Sequence, residues 1–131
     1  IKLCIGRIFS FTDKKQKPPY VIPTLISKIK TNKKKKLILK NLNHYRYFIS
    51  TNEISKAIKI LYQNKSFGIF NIGNENKINL KKIAILLAKK YNKNISFEKD
   101  NSPTYLISNT DKIKKLGWRK KKFTNSLKYF Y

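Results

Sequence analysis

His44-Tyr45-Arg46-Tyr47-Phe48-Ile49-Ser50-Thr51-Asn52-Glu53-Ile54 is the stretch on which the reading of this chain turns. An arginine opens a short apolar strand, and the strand runs straight into a helix. Ile54, Ala57, Ile58 and Leu61 recur at helical spacing. Thr51 or Asn52 is the expected N-cap, and Glu53 suits the positive end of the helix dipole. Arginine is scarce: Arg7, Arg46 and Arg119 stand against 28 lysines. A guanidinium presents a planar fork of donors that matches phosphate oxygens, which an ammonium cannot copy. Arg46 is therefore a candidate anion contact. The ordinary alternative is a solvated arginine or a surface ion pair.

The surrounding composition sets the frame. The chain has 131 residues, the length of about one domain, with 40% hydrophobic residues, eight Tyr, eight Phe and one Trp. That fits a packed core and not a disordered tail. No apolar run approaches the roughly 20 residues that span a bilayer, and no signal-peptide pattern is present. Cys4 is the only cysteine and His44 the only histidine. An internal disulfide is excluded, an ordinary zinc site is disfavoured, and a cytoplasmic location is compatible.

A net charge of +25 would ordinarily suggest nucleic acid. Here the excess is nearly all lysine, accompanied by abundant Asn, Ile, Tyr and Phe, all of which have AT-rich codons. Base composition of the coding DNA is a sufficient cause. Sequence-reading proteins also lean on arginine for bidentate contacts to guanine. Lys33-Lys34-Lys35-Lys36 and Lys120-Lys121-Lys122 read as solvated surface. A small lysine-rich nucleic-acid-binding module is the competing class, attracted to polyanions without specificity.

Outward from the opening stretch the order is mixed α/β. Residues 2–9 form an apolar run of strand length, typical of a parallel strand covered on both faces. A chain that starts inside such a strand reads as a piece whose neighbouring strands lie elsewhere. Residues 10–19 read as a loop ending in Pro18-Pro19. Tyr20 to Lys30 places Ile22, Leu25, Ile26 and Ile29 on one helical face, with Pro23 tolerated in the first turn. Leu37-Ile38-Leu39 is a short strand, and residues 67–73 form another ending in a glycine turn. Asn79 caps a helix with an apolar stripe of Leu80, Ile83, Ala84, Leu87 and Tyr91. Residues 94–98 suit a strand, Asn109 or Thr110 caps a short helix, and Gly117 takes its C′ position. Thr124–Tyr131 is expected to form a last amphipathic helix.

Familiar catalytic devices are missing. The four glycines, at positions 6, 68, 73 and 117, make neither a dinucleotide loop nor a Walker loop. No serine sits in a nucleophile elbow, and His44 reads as a packing or surface residue. Glu98 and Asp100 are the one close pair among six carboxylates, and read as surface. No tyrosine is followed by lysine four residues on.

The order of short motifs carries more than any one of them. Arg7-Ile8-Phe9-Ser10 closes a strand, Val21-Ile22-Pro23 opens a helix, and Tyr45-Arg46-Tyr47-Phe48-Ile49 precedes Asn52-Glu53. Phe70-Asn71-Ile72-Gly73 and Leu116-Gly117-Trp118 follow. This succession resembles the C-terminal part of the NAD-dependent epimerase/dehydratase family, the extended short-chain dehydrogenases acting on nucleotide sugars. The resemblance covers nearly the whole chain. It implies an α/β fold, namely the C-terminal substrate-binding part of a Rossmann-type enzyme including the last sheet strands. The N-terminal dinucleotide-binding half, with the NAD(P) loop and the catalytic residues, would then be missing. The implied partner is a nucleotide-diphosphate sugar, the implied cofactor of the intact enzyme is NAD or NADP without a metal, and the parent would be a cytoplasmic homodimer of carbohydrate biosynthesis. On the same resemblance Arg46 would contact the diphosphate, and Leu37 and Leu39 would line the base pocket. Ser10 would stand where the family has an asparagine beside the substrate, and Val21 and Ile22 would lie near the nucleotide. Asn71 matches the asparagine of the family's Tyr-Asn-x-Gly strand. The chain departs from the pattern at Lys40-Asn41-Leu42, where the family has Gly-Asp-Gly, and at Tyr47, where it has Asp. Asn52-Glu53 replaces an Asp pair, and Ser102 replaces a second phosphate-binding arginine before Pro103.

Overall fold

The computed structural model describes residues 1–73, 76–99 and 102–119. In chain order these form β1 (Cys4–Ile8), β2 (Phe11–Thr12), α1 (Val21–Thr31), β3 (Leu37–Leu39), β4 (His44–Arg46), β5 (Ile49–Ser50) and α2 (Thr51–Gln63). There follow β6 (Gly68–Ile72), β7 (Ile78–Asn79), α3 (Leu80–Lys90), β8 (Ile95–Phe97), β9 (Thr104–Tyr105) and α4 (Asp111–Lys115). The strands pair in small groups. β1 runs parallel to β6, β2 to β5, and β3 to β8. β4 lies between antiparallel β7 and parallel β9.

Two apolar cores result, and the Arg46 stretch joins them. One gathers Ile22, Leu25 and Ile29 of α1, Ile83, Ala84 and Leu87 of α3, and Leu39, Leu42 and Phe48. The other gathers Ile49, Ile54, Ala57, Leu61, Phe70, Ile72, Ile113 and Trp118. Successive side chains of an extended segment point to opposite faces, so Phe48 enters the first core and Ile49 the second.

The helix ends carry their signals. Asn79 caps α3 by accepting from Lys81 N at 2.8 Å, as its sequence position predicts. For α2 the cap is one residue earlier than expected. Ser50 has extended backbone and its hydroxyl accepts from Glu53 N, while Thr51 donates its own hydroxyl to Asp13 Oδ2 at 2.6 Å. α4 ends with Gly117 at φ +90, Gly117 N donating to Lys114 O and Trp118 N to Ile113 O. This is the double hydrogen bond of a Schellman close. α2 and α3 end the same way, but with Lys65 and Asn92 in the left-handed position, at φ 46 and 52.

Three expectations need correction. The apolar run of β1 is not covered on both faces: it pairs only with β6 among the described strands, and Ile5 and Ile8 are 45% and 43% exposed. A parallel strand needs layers on both sides and a second neighbour, and the described residues supply only part of that. Ile58 turns away from the α2 stripe and is exposed, facing a groove of about 480 Å³ between α2 and β1 with Gly6, Ile8 and Tyr62. Residues 10–19 hold β2, a two-residue strand hidden in a stretch read as loop, and β7 and β9 likewise had no strand pattern. The expected helix at Thr124–Tyr131 lies outside the described residues.

Candidate functional site

Arg46, expected to open a strand, instead ends β4, and Tyr47 and Phe48 separate it from the two-residue β5; it stands where β2, the start of α1 and the Phe48 segment converge. There it lines a cavity of about 240 Å³ together with Ser10, Gln16, Tyr20, Val21, Ile22 and Phe48. Val21 also lines a wider cleft of about 770 Å³, whose walls include Leu37, Leu39, Leu25, Lys28 and Lys40. Six of the seven residues singled out in the sequence thus surround two clefts that share one residue. The smaller holds Ser10, Ile22 and Arg46, and the larger holds Leu37 and Leu39. Period-2 alternation buries Leu39 and half-buries Leu37 on one side of β3, while the exposed Ile38 also lines the cleft. Leu39 is buried in the first core and Leu37 packs against it, so both support the cleft wall as well as forming it.

Asn71 does not join this group. It lies on β6 opposite Arg7, and its Nδ2 donates to Asn109 O at 3.0 Å. That bond ties β6 to the segment before α4. Its Oδ1 is buried without a hydrogen-bond partner among the described residues.

Among the described residues, the hydrogen bonds of Arg46 all leave from one nitrogen. Nη1 donates to Tyr45 O at 2.9 Å and to Thr104 O and Oγ1 at 3.4 and 3.3 Å. No carboxylate pairs with Arg46 among the described residues; the ion pairs there are lysine pairs, Lys40–Glu98, Lys56–Glu53 and Lys114–Asp111. Among the described residues, the surface ion pair that was one ordinary alternative is not made. Glu98 is spent on Lys40 at 3.1 Å, with both side chains exposed, as a surface role predicts. His44 is also engaged, its Nδ1 lying 2.7 Å from Thr104 Oγ1.

The loop between β2 and α1 forms one rim of the small cleft through Gln16 and Tyr20. Asp13 anchors it. Its carboxylate takes the Thr51 hydroxyl and Lys15 N, and these bonds, the Thr51 bond foremost, hold its pKa below the usual carboxylate value. Gln16 and Tyr20 were not foreseen as site residues. Gln16 sits in a polar stretch whose sequence gives no periodicity and Tyr20 at the start of α1, off its apolar face, and only the fold brings them to the cleft that Arg46 lines.

Among the described residues no group of three or more His, Cys, Asp or Glu comes together to hold a metal ion. None of their helices is long and apolar enough to cross a membrane.

With this geometry in view, the fold can be classed: it is the α/β fold of the NAD-dependent epimerases and dehydratases of the extended short-chain dehydrogenase type. Dehydratase DesIV of Streptomyces venezuelae, a dTDP-glucose 4,6-dehydratase with NAD and TYD bound, superimposes with a TM-score of 0.76 at 17% identity, over 97% of this chain and 42% of that one. A UDP-N-acetylglucosamine 4-epimerase from Methanobrevibacter ruminantium, in complex with UDP-N-acetylmuramic acid, gives 0.76 at 16% identity over 94% and 42%. RMD from Pseudomonas aeruginosa, complexed with NADPH, gives 0.75 at 16% over 92% and 43%. The chain therefore spans about two-fifths of the length of these proteins. No family model matches the sequence, and no curated protein matches it.

DesIV holds NAD and RMD holds NADPH, but the four glycines of this chain form no dinucleotide loop. Gly6 lies within β1, Gly68 opens β6 and Gly117 closes α4. A Cβ at Gly73 would run into the Ser108 side chain, so that glycine answers a packing contact. None stands in a turn between a strand and the N-terminus of a helix, where a pyrophosphate is held.

Proposed function

We propose that this chain is the C-terminal, nucleotide-sugar-binding portion of a cytoplasmic NAD(P)-dependent nucleotide-sugar epimerase, dehydratase or reductase. The observation that carries this is Arg46, with no carboxylate partner among the described residues, on a cleft that shares Val21 with a second cleft walled in part by Leu37 and Leu39. A nucleotide diphosphate has those two parts, a doubly charged centre and a flat base. Arg46 takes the diphosphate, Ser10 and Ile22 lie beside it, and Val21, Leu37 and Leu39 take the base. Binding at this remote group orients the sugar toward the reacting centre, which lowers the entropic part of the barrier. The dinucleotide and the acid/base residues belong to the part of the fold that this chain does not span. By itself the 131-residue chain turns nothing over. The open face of β1 and the groove beside Ile58 fit the contact surface for that other part.

An NMR titration with UDP, dTDP, GDP and ADP tests the assignment. Shift changes at Ser10, Val21, Leu37 and the Arg46 guanidinium are expected with at least one of them. Changes confined to the lysine runs would overturn it.

A further inference from the structure

We propose that Thr104 is a positioning residue for Arg46, fixing the guanidinium so that its side-on fork faces the cleft; this rests on the diphosphate reading above. The tether is one-sided. Tyr45 O and both oxygens of Thr104 gather at Nη1, and none reaches Nη2 or Nε. In a guanidinium plane, Nε–H and one Nη2–H point along the same edge, away from Nη1. That edge donates two parallel hydrogen bonds to two oxygens of one phosphate. Holding Nη1 leaves it whole, whereas a tether at Nε would have broken it.

Thr104 is in turn held from two sides. Its hydroxyl meets His44 Nδ1 at 2.7 Å. Its strand is only two residues long and pairs with β4 in the register His44↔Thr104, Tyr45↔Tyr105. So short a strand has few ladder bonds, and a ring stack fastens it. Tyr45 and Tyr105 lie 4.9 Å apart and 9° from parallel, with Lys77 Nζ 5.4 and 5.7 Å from the two ring centres. The stack fixes the register of β9, the register brings Thr104 to Nη1, and Thr104 removes rotational freedom from a long side chain before ligand arrives. An arginine ordered in advance loses less entropy on binding, which tightens the complex without a new ligand contact. Thr104 itself does not line the cleft around Arg46.

The test is calorimetric titration of the intact protein carrying this sequence. The probes are UDP, dTDP, GDP and ADP, and the nucleoside of whichever binds most tightly. Thr104→Val keeps the β-branched shape and deletes the hydroxyl. It is expected to weaken the diphosphate about 3- to 10-fold and leave the nucleoside within 2-fold, with Thr104→Ser restoring wild-type affinity. In an Arg46→Ala background Thr104→Val is expected to change nothing further. Should the valine variant lose its cooperative melt, Thr104→Ala replaces it with the same expectation. Unchanged diphosphate affinity in Thr104→Val, alongside a loss in Arg46→Ala, overturns the positioning role and leaves the diphosphate reading standing. Equal losses for nucleoside and diphosphate overturn it as well, since a general structural defect does that. If Arg46→Ala binds like wild type, or no diphosphate binds at all, the diphosphate reading fails and this inference with it.

Discussion

Phe48 and Ile49 are neighbours in sequence and 3% and 2% exposed, yet they belong to different cores, one under α1 and α3 and the other under α2 and α4. The segment that carries Arg46 is therefore clamped from both sides. Truncation should expose this. Phe48→Ala is expected to cost about 3–5 kcal/mol and Ile49→Ala about 2–5 kcal/mol, the range for cavities left by large core side chains. Because the two sites share a segment, the double variant should depart from the sum of the single losses. Urea denaturation checks both points, and losses below about 1 kcal/mol for either would show that the segment is not a shared clamp.

The Asp13–Thr51 hydrogen bond makes a pH prediction for the loop that rims the cleft. Asp13 has its pKa lowered in the folded protein, chiefly by the Thr51 hydroxyl. A lowered folded value means that the stabilising contribution is present above the unfolded carboxylate pKa of about 3.9, and is lost as pH falls through the folded value. Thr51→Val should move the Asp13 titration back toward the ordinary range, read by carboxyl-carbon NMR. It should narrow the stability difference from wild type at low pH. A titration midpoint unchanged in the variant would mean that Thr51 is not the main cause.

Lys65 and Gly117 make an opposed pair. Each holds the left-handed position after a helix, but only glycine does so without strain. Lys65→Gly is expected to stabilise the chain, by up to about 1 kcal/mol after the glycine's own entropic cost, and Gly117→Ala to destabilise it by about 1 kcal/mol. Thermal melts of the two variants should shift in opposite directions. A loss in both would show that Lys65 makes contacts worth more than its strain.

These helix ends also mark how much the sequence disclosed. Gly117 and Asn79 were legible because glycine and asparagine announce a left-handed close and a cap. Lys65 was not, since lysine carries no such preference and its conformation is imposed by packing. The apolar stripes of α1, α2 and α3 were readable apart from Ile58, whose spacing fits the stripe but whose side chain falls just beyond the buried arc. Two-residue strands such as β2 and β9 have too few residues for any period to show. In the site, Arg46 stood out by scarcity; the family resemblance singled out Ser10, Val21 and Ile22, which share its cleft, and Leu37 and Leu39, which line the neighbouring one. Gln16, Tyr20 and Thr104 reach it only through pairing between distant segments, and local pattern does not encode that.

The charge of +25 yields a further expectation. If the lysines are solvated surface, DNA binding will be weak and non-specific, and it will fade steeply between 50 and 200 mM salt, as counterion release dictates. Fluorescence anisotropy with duplexes of differing sequence measures it. Tight, sequence-selective binding that persists at about 150 mM salt would favour the nucleic-acid module over the nucleotide-sugar reading.

The most direct measurement concerns Arg46 itself. In the intact protein, Arg46→Ala is expected to raise the Michaelis constant for the nucleotide sugar by about 10- to 100-fold, near 1.4–2.8 kcal/mol of lost binding at 1.4 kcal/mol per decade. Arg46→Lys should recover only part of that loss, because an ammonium cannot donate along a fork. An Arg46→Ala enzyme with the wild-type Michaelis constant would contradict the account, returning Arg46 to the solvated surface.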